Sequence, residues 1–183
     1  MYKRQVFIIN THSSWEDGSI NDSLIEHLVM VDAANRASAK RITVVAPFYG
    51  YSRQDRKSAG REPITAKLIA NMFTAAGADR LLSVDLHSGQ IQGFFDGPVD
   101  HLTAMPVLID YLKMLGGDDL VVVSPDAGRV KVAERYANQL GASLAIVHKR
   151  RVAGQKNTVV AKDVVGDVED KVCVLIDLSL IHI

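Results

Sequence analysis

Short runs of β-branched and aliphatic residues alternate along this chain with longer segments whose apolar residues recur at helical spacing. That alternation constrains the fold more than any other feature. Residues 6–10, 42–46, 81–84, 120–123, 144–147 and 172–176 read as strands, with residues 158–161 as a further short one. Residues 21–37, 65–76, 105–115 and 130–140 read as helices, the first with an apolar stripe of Leu24, Ile25, Leu28, Val29 and Val31. Gly77 stands where the second helix should stop, and Gly116-Gly117 closes the third. Strand, helix, strand in repetition implies an α/β fold with a parallel sheet covered on both faces. A break between His101 and Pro106 predicts two α/β units, residues 6–103 and 104–177.

Composition narrows the partners. The 183 residues are 48% hydrophobic, enough for one large core or two small ones. Lys+Arg and Asp+Glu both number 21, so no net field favours nucleic acid or an anionic membrane, and any anion must be captured locally. No stretch has the length of a membrane span and none reads as a signal peptide, so the expectation is cytoplasmic. The single cysteine, Cys173, lies in an apolar run and reads as a buried residue in a reducing compartment.

The chemistry gathers at strand ends, where ligands bind in open α/β sheets. After residues 81–84 comes Asp85-Leu86-His87, followed by Asp96 and Asp100. At the C-terminal end of that strand Asp85 and His87 are expected to point the same way, because side chains alternate with period 2. The polar loop of residues 48–63 carries Arg53, Gln54, Asp55, Arg56 and Lys57. Arginine forks suit phosphate oxygens, and glutamine can read a base edge or a ribose, although a solvated charge run reads the same way. Ser124-Pro-Asp126-Ala-Gly128-Arg129 has the form of a strand end, a turn and a helix start, so Asp126 could cap that helix, face a ligand, or do both. His148-Lys149-Arg150-Arg151 follows residues 144–147 and precedes a polar, flexible-looking stretch, residues 152–157. Cations at the base of such a loop could close over a polyphosphate, or could form a solvated edge. Neither a G-x-x-x-x-G-K-[ST] phosphate loop nor a kinase signature is present.

These segments together resemble the ribose-phosphate pyrophosphokinase (phosphoribosyl pyrophosphate synthetase) family. The resemblance rests on Tyr51–Lys57 with Arg61–Lys67, then Asp85–Asp100, Ser124–Gly128, Lys149–Arg151 and Val165–Val168, and runs from Val6 to Asp177. The Ser-Pro-Asp-Ala-Gly-Arg form looks like that of actinobacterial-type members. The family's fold is two phosphoribosyltransferase-type parallel-sheet α/β domains, both of which would be incomplete here. The resemblance implies transfer of the diphosphoryl group of ATP to the C1 hydroxyl of ribose 5-phosphate, releasing AMP. It implies ATP binding by Arg53, Gln54 and Asp55, and Mg²⁺ at His87 and Asp126, which should converge on one site. Asp85, Asp96 and Asp100 would lie in the metal or water shell. Lys149 and Arg151 would act on the transferring group, and Arg151 and Asp177 would bind the ribose phosphate. It also implies a homo-oligomer, a hexamer built from dimers. Two alternatives share the fold: a non-catalytic regulatory homologue that binds synthetase subunits, and a phosphoribosyltransferase. The second would lack the Ser52-Arg53-Gln54-Asp55 motif.

The ends read as foreign. Residues 1–5 and 178–183 look like translated adapter sequence around an internal fragment. The family's adenine-holding acidic loop would precede Val6, and its ribose-phosphate loop would begin at Asp177. A chain lacking both is expected to be inactive as it stands.

Overall fold

The structure is a computed structural model that describes residues 4–115, 117, 119–151 and 159–178, with 149–151 and 159–162 described by their backbone. It packs as two compact units that divide between Thr103 and Ala104.

The first unit is built on a fully parallel sheet in the order β1 (Gln5–Ile9), β2 (Arg41–Ala46), β3 (Arg80–Val84), β4 (Val99–Leu102). Helix α1 (Ile20–Arg36) connects β1 to β2, and α2 (Thr65–Ala76) connects β2 to β3. Both helices have clear local causes. Ser19 caps α1 by accepting from the Asn21 and Asp22 N–H groups, while the Asp22 carboxylate accepts from the Ser19 N–H at 2.7 Å. The Ser19 hydroxyl, which donates to the same carboxylate at 2.7 Å, and then the Ser19 N–H hold the Asp22 carboxyl below the usual carboxylate range. Helix α2 buries Ala66, Ile69, Ala70 and Phe73, the i, i+3, i+4, i+7 stripe, and ends at Gly77 in the left-handed region.

One core joins these elements. In register, Ile8, Val44 and Leu81 share a face of the sheet, and they pack with Leu24 and Val31 of α1 and Ile69 and Phe73 of α2. Every helical residue of this core lies on that one face. The sequence reading expected both faces to be covered. The difference follows from strand order: an order that never reverses sends each right-handed crossover to the same side. On the opposite face Phe7 is 58% exposed, Ile9 67% and Leu102 49%. The α1 stripe is also narrower than read, since Leu24, His27, Leu28 and Val31 face the core while Ile25 and Val29 point outward.

The second unit has a mixed sheet, ordered β7 (Val159–Val165), β6 (Ser143–Arg151), β5 (Leu120–Ser124), β8 (Val172–Leu175). Strands β6 and β8 flank β5 in parallel, whereas β7 runs antiparallel to β6. Strand β5 is buried throughout, as its unbroken apolar run implies. Helices α3 (Met105–Leu115) and α4 (Val130–Leu140) pack on the face of Val122, Leu144 and Val174. The other face, with Val121, Val123 and Ala145, packs with Val147 and Val168 and, among the described residues, with no helical residue. Cys173 is exposed, not buried as expected, because β8 is an edge strand among the described residues. Strand β6 is longer than read and carries the backbone of His148–Arg151, so the expected flexible stretch at 152–157 begins beyond it, outside the described residues.

Candidate active site

Adjacent parallel strands place their C-terminal loops side by side, and in the first unit the loops after β2 and β3 meet through Asp55. The β2 loop is anchored from inside. The Tyr49 hydroxyl donates to the Ala66 carbonyl at 2.9 Å, and burial pushes the phenol's pKa up. The Gly50 N–H donates to His12 Nδ1 at 3.0 Å. His12 therefore carries its proton on Nε2, which donates to His27 Nδ1 at 3.1 Å, and His27 Nε2–H donates to the Ile8 carbonyl at 3.0 Å. Both imidazoles are fully buried beside Phe73. Burial, then the neighbouring His27, lower the His12 pKa to about 4, so this chain of donors is neutral.

Beyond that anchor the loop turns outward. Arg53, Gln54, Arg56 and Lys57 are exposed, and Thr65 Oγ1 donates to Gln54 Oε1. Asp55 turns inward and is only 4% exposed. Its Oδ2 accepts from Ser88 Oγ at 2.6 Å and His87 Nδ1 at 3.1 Å, while Oδ1 is buried without a partner. Burial alone pushes the Asp55 carboxyl up. The Ser88 and His87 hydrogen bonds and the His87 charge outweigh it and leave the carboxyl below its ordinary value. The Gln90 amide also reaches the Asp55 carbonyl at 3.4 Å.

The carboxylates around His87 go elsewhere. Asp85 adopts φ +47°, ending the strand pleat, so period-2 alternation does not carry through to His87 as read. The Asp85 carboxylate accepts from Thr103 Oγ1 at 2.9 Å. Asp96 lies 3.7 Å from Lys67 with a side chain 75% exposed, and Asp100 pairs with Arg80 at 2.7 Å.

In the second unit the Ser124–Arg129 turn is tied by its own groups. Asp126 Oδ1 accepts from the Gly128 N–H at 2.9 Å and the Asp126 carbonyl accepts from Ser124 Oγ at 2.8 Å. The residue at the α4 cap position is Arg129, without a side-chain cap, so Asp126 braces the turn before the helix. A Cβ on Gly128 would stand 3.2 Å from Asp126 Oδ1. Arg129 Nε lies 3.7 Å from Asp177 Oδ1. Lys149 and Arg151 sit on the β6 backbone beside β7, with a register shift between His148 and Lys149.

A family model described as the N-terminal domain of ribose phosphate pyrophosphokinase matches residues 1–77. The ribose-phosphate pyrophosphokinase of Streptomyces coelicolor is 57% identical over 172 residues, which are 93% of this chain and 52% of that protein. That of Corynebacterium efficiens is 58% identical over 173 residues, again 93% of this chain and 52% of the relative. The chain belongs to the ribose-phosphate pyrophosphokinase family. The crystal structure of phosphoribosylpyrophosphate synthetase from Mycobacterium smegmatis matches with a TM-score of 0.82 at 48% identity, covering 96% of this chain and 56% of that one. The chain thus spans about half the length of the curated relatives it matches.

Against the family expectation, the structure brings together Asp55, His87 and Ser88 and leaves Arg53, on the same loop as Asp55, exposed. It does not gather Asp85, Asp96 and Asp100 around His87, and among the described residues no three His, Cys, Asp or Glu side chains group to hold a metal ion. Sequence reasoning missed Ser88, the His12–His27 pair and the inward turn of Asp55. The only signal for His27 was a polar residue within the i, i+3, i+7 stripe of Leu24 and Val31. Nothing in the sequence marked the Asp55–His87 contact, which spans 32 positions.

Proposed function

We propose that the protein of which this chain forms about half transfers the diphosphoryl group of ATP to the C1 hydroxyl of ribose 5-phosphate, yielding phosphoribosyl pyrophosphate and AMP. The observation that carries this reading is identity of 57% across 93% of the chain to a ribose-phosphate pyrophosphokinase. The exposed Arg53 and Gln54 are the proposed ATP contacts, the guanidinium meeting phosphate oxygens as a planar fork. Lys149 and Arg151 neutralise charge that develops on the transferring group, the largest contribution a protein makes to phosphoryl transfer. Arg151 and Asp177 belong to the ribose-phosphate end.

The proposed cofactor is Mg²⁺, which when bound neutralises phosphate charge and orients the oxygens. The donors present fit it in a limited way. His87 offers Nε2 and Asp126 offers Oδ2, since Oδ1 accepts from Gly128. Each is a single donor on its own unit, which suits an ion that keeps several waters and takes its remaining ligands from substrate phosphates. Assembly as a homo-oligomer, dimers grouped into a hexamer, completes the proposal.

The 183-residue chain by itself is proposed to be inactive. Holding two reactants in line is worth roughly 7–11 kcal/mol of a barrier, and half of the relatives' length has no counterpart here. The test is AMP formation from ATP, ribose 5-phosphate and Mg²⁺. A version extended to the relatives' length should form AMP and the chain alone should not. An extended protein that binds ATP yet forms no AMP in the presence of ribose 5-phosphate overturns the reading.

A further inference from the structure

A carboxylate cannot donate, so the Asp55–His87 contact dictates where the imidazole proton sits. Asp55 Oδ2 accepts at 3.1 Å from His87 Nδ1, which must therefore carry the hydrogen. Nε2 is then the lone-pair nitrogen, and it has no hydrogen-bond partner among the described residues. The His87 side chain is 33% exposed and that of Asp55 only 2%, so the carboxylate is enclosed while the imidazole it holds is partly open to solvent. Asp55 is locked in turn by Ser88 Oγ at 2.6 Å, and its backbone carbonyl by the Gln90 amide. Its neighbours Arg53 and Gln54 are exposed on the same loop.

We infer that Asp55 is a positioning residue, acting through His87 and not on the nucleotide: it fixes the His87 ring in the Nδ1–H tautomer, keeps Nε2 as the outward ligand atom, and ties the Arg53–Gln54 loop to that ligand. This role differs from the ATP contact that the family resemblance implies for Asp55. A buried carboxylate with one oxygen bonded to two donors and the other oxygen sealed from solvent cannot meet a phosphate or a ribose hydroxyl without leaving its place. Partners of this kind behind a ligating histidine set ring orientation, and their loss weakens metal affinity about 10–100-fold. The metal half of the inference rests on the function proposed above, while the tautomer half stands alone.

The test uses the 183-residue chain, labelled with ¹⁵N, at about pH 8, where histidine is neutral. The His87 ring signals are assigned by their disappearance in His87→Asn. In the unsubstituted chain Nδ1 should appear protonated and Nε2 unprotonated; the reverse overturns the inference. Asp55→Asn keeps size but removes the charge and adds a donor, so the ring should become a mixture of tautomers. Ser88→Ala loosens the same loop contact without touching the imidazole bond and should leave the tautomer unchanged. A purely structural Asp55 would make the two variants alike, and that result also overturns it. Mn²⁺ added alone should broaden the His87 signals, with apparent affinity about 10–100-fold weaker in Asp55→Asn. Absence of broadening in a chain with the Nδ1–H tautomer counts against the metal role of His87 and leaves Asp55 as the tautomer clamp. A shift to mixed tautomers with undiminished Mn²⁺ broadening overturns the coupling between them.

Discussion

His12 and His27 are the residues on which the loop after β2 depends from within, and their neutrality has a cost that pH reveals. At pH above 6.5 both the folded and the unfolded chain carry a neutral His12, and the residue is silent. Below that value the unfolded chain takes a proton that the folded chain refuses, so stability falls as pH drops. The loss levels off at about pH 4, where folded His12 is protonated too. A shift of this size is worth about 3 kcal/mol at full extent. His27, whose pKa burial also lowers, adds in the same direction. The other polar side chain packed against the pair, Tyr49, is pushed away from this range. Urea unfolding at pH 7 and at pH 5 should show the lower stability at pH 5. In His12→Ala, weaker at both pH values because of the cavity, that difference should shrink. An unchanged difference would remove His12 from the account.

At the scale of elements, two helix ends carry most of what local chemistry contributes. Ser19 satisfies N–H groups at the start of α1, and Ser19→Ala should cost about 0.5–2 kcal/mol. Gly77 ends α2 with φ +106°, and a Cβ there would come within 2.6 Å of the Asn35 side chain. Gly77→Ala should therefore cost at least about 1–2 kcal/mol, the steric penalty of the left-handed region before any crowding. Urea midpoints with unchanged slopes check both. If the Gly77 variant proves as stable as its parent, α2 ends in some other geometry. The Gly77 stop was read in advance, because it depends on neighbours in sequence; the Ser19 cap, equally local, was not. The extent of β6, the β4 strand and the 3₁₀ turn at Gly89–Gly93 were not, because they form through partners far along the chain.

For the whole molecule, the face of the first sheet opposite the helices, on which Thr43 is buried but Phe7 and Ile9 are exposed, is the main physical consequence of the strand order. Phe7 and Ile9 stand exposed there although they belong to the unbroken apolar run Val6–Ile9. Large exposed apolar surface favours association. The double variant Phe7→Ser, Ile9→Thr should bind less of the dye ANS and self-associate less. Its unfolding free energy should stay close to that of the parent, since neither side chain joins the core. A large loss of stability would show that this face is packed in solution.

The sequence by itself determined the α/β class, the family and the strand ends on which chemistry-bearing residues stand. Periodicity is a local property, and Arg53, His87 and Asp126 each follow a short apolar run that reads as a strand. Only the tertiary structure decided which side chains meet. The parallel pairing of β2 with β3 delivers Asp55 to His87 across 32 positions, while a positive φ turns Asp85 away to Thr103. The direction of a side chain past the end of a strand depends on one backbone angle and on the loop next door. Neither is encoded in the residues' own spacing.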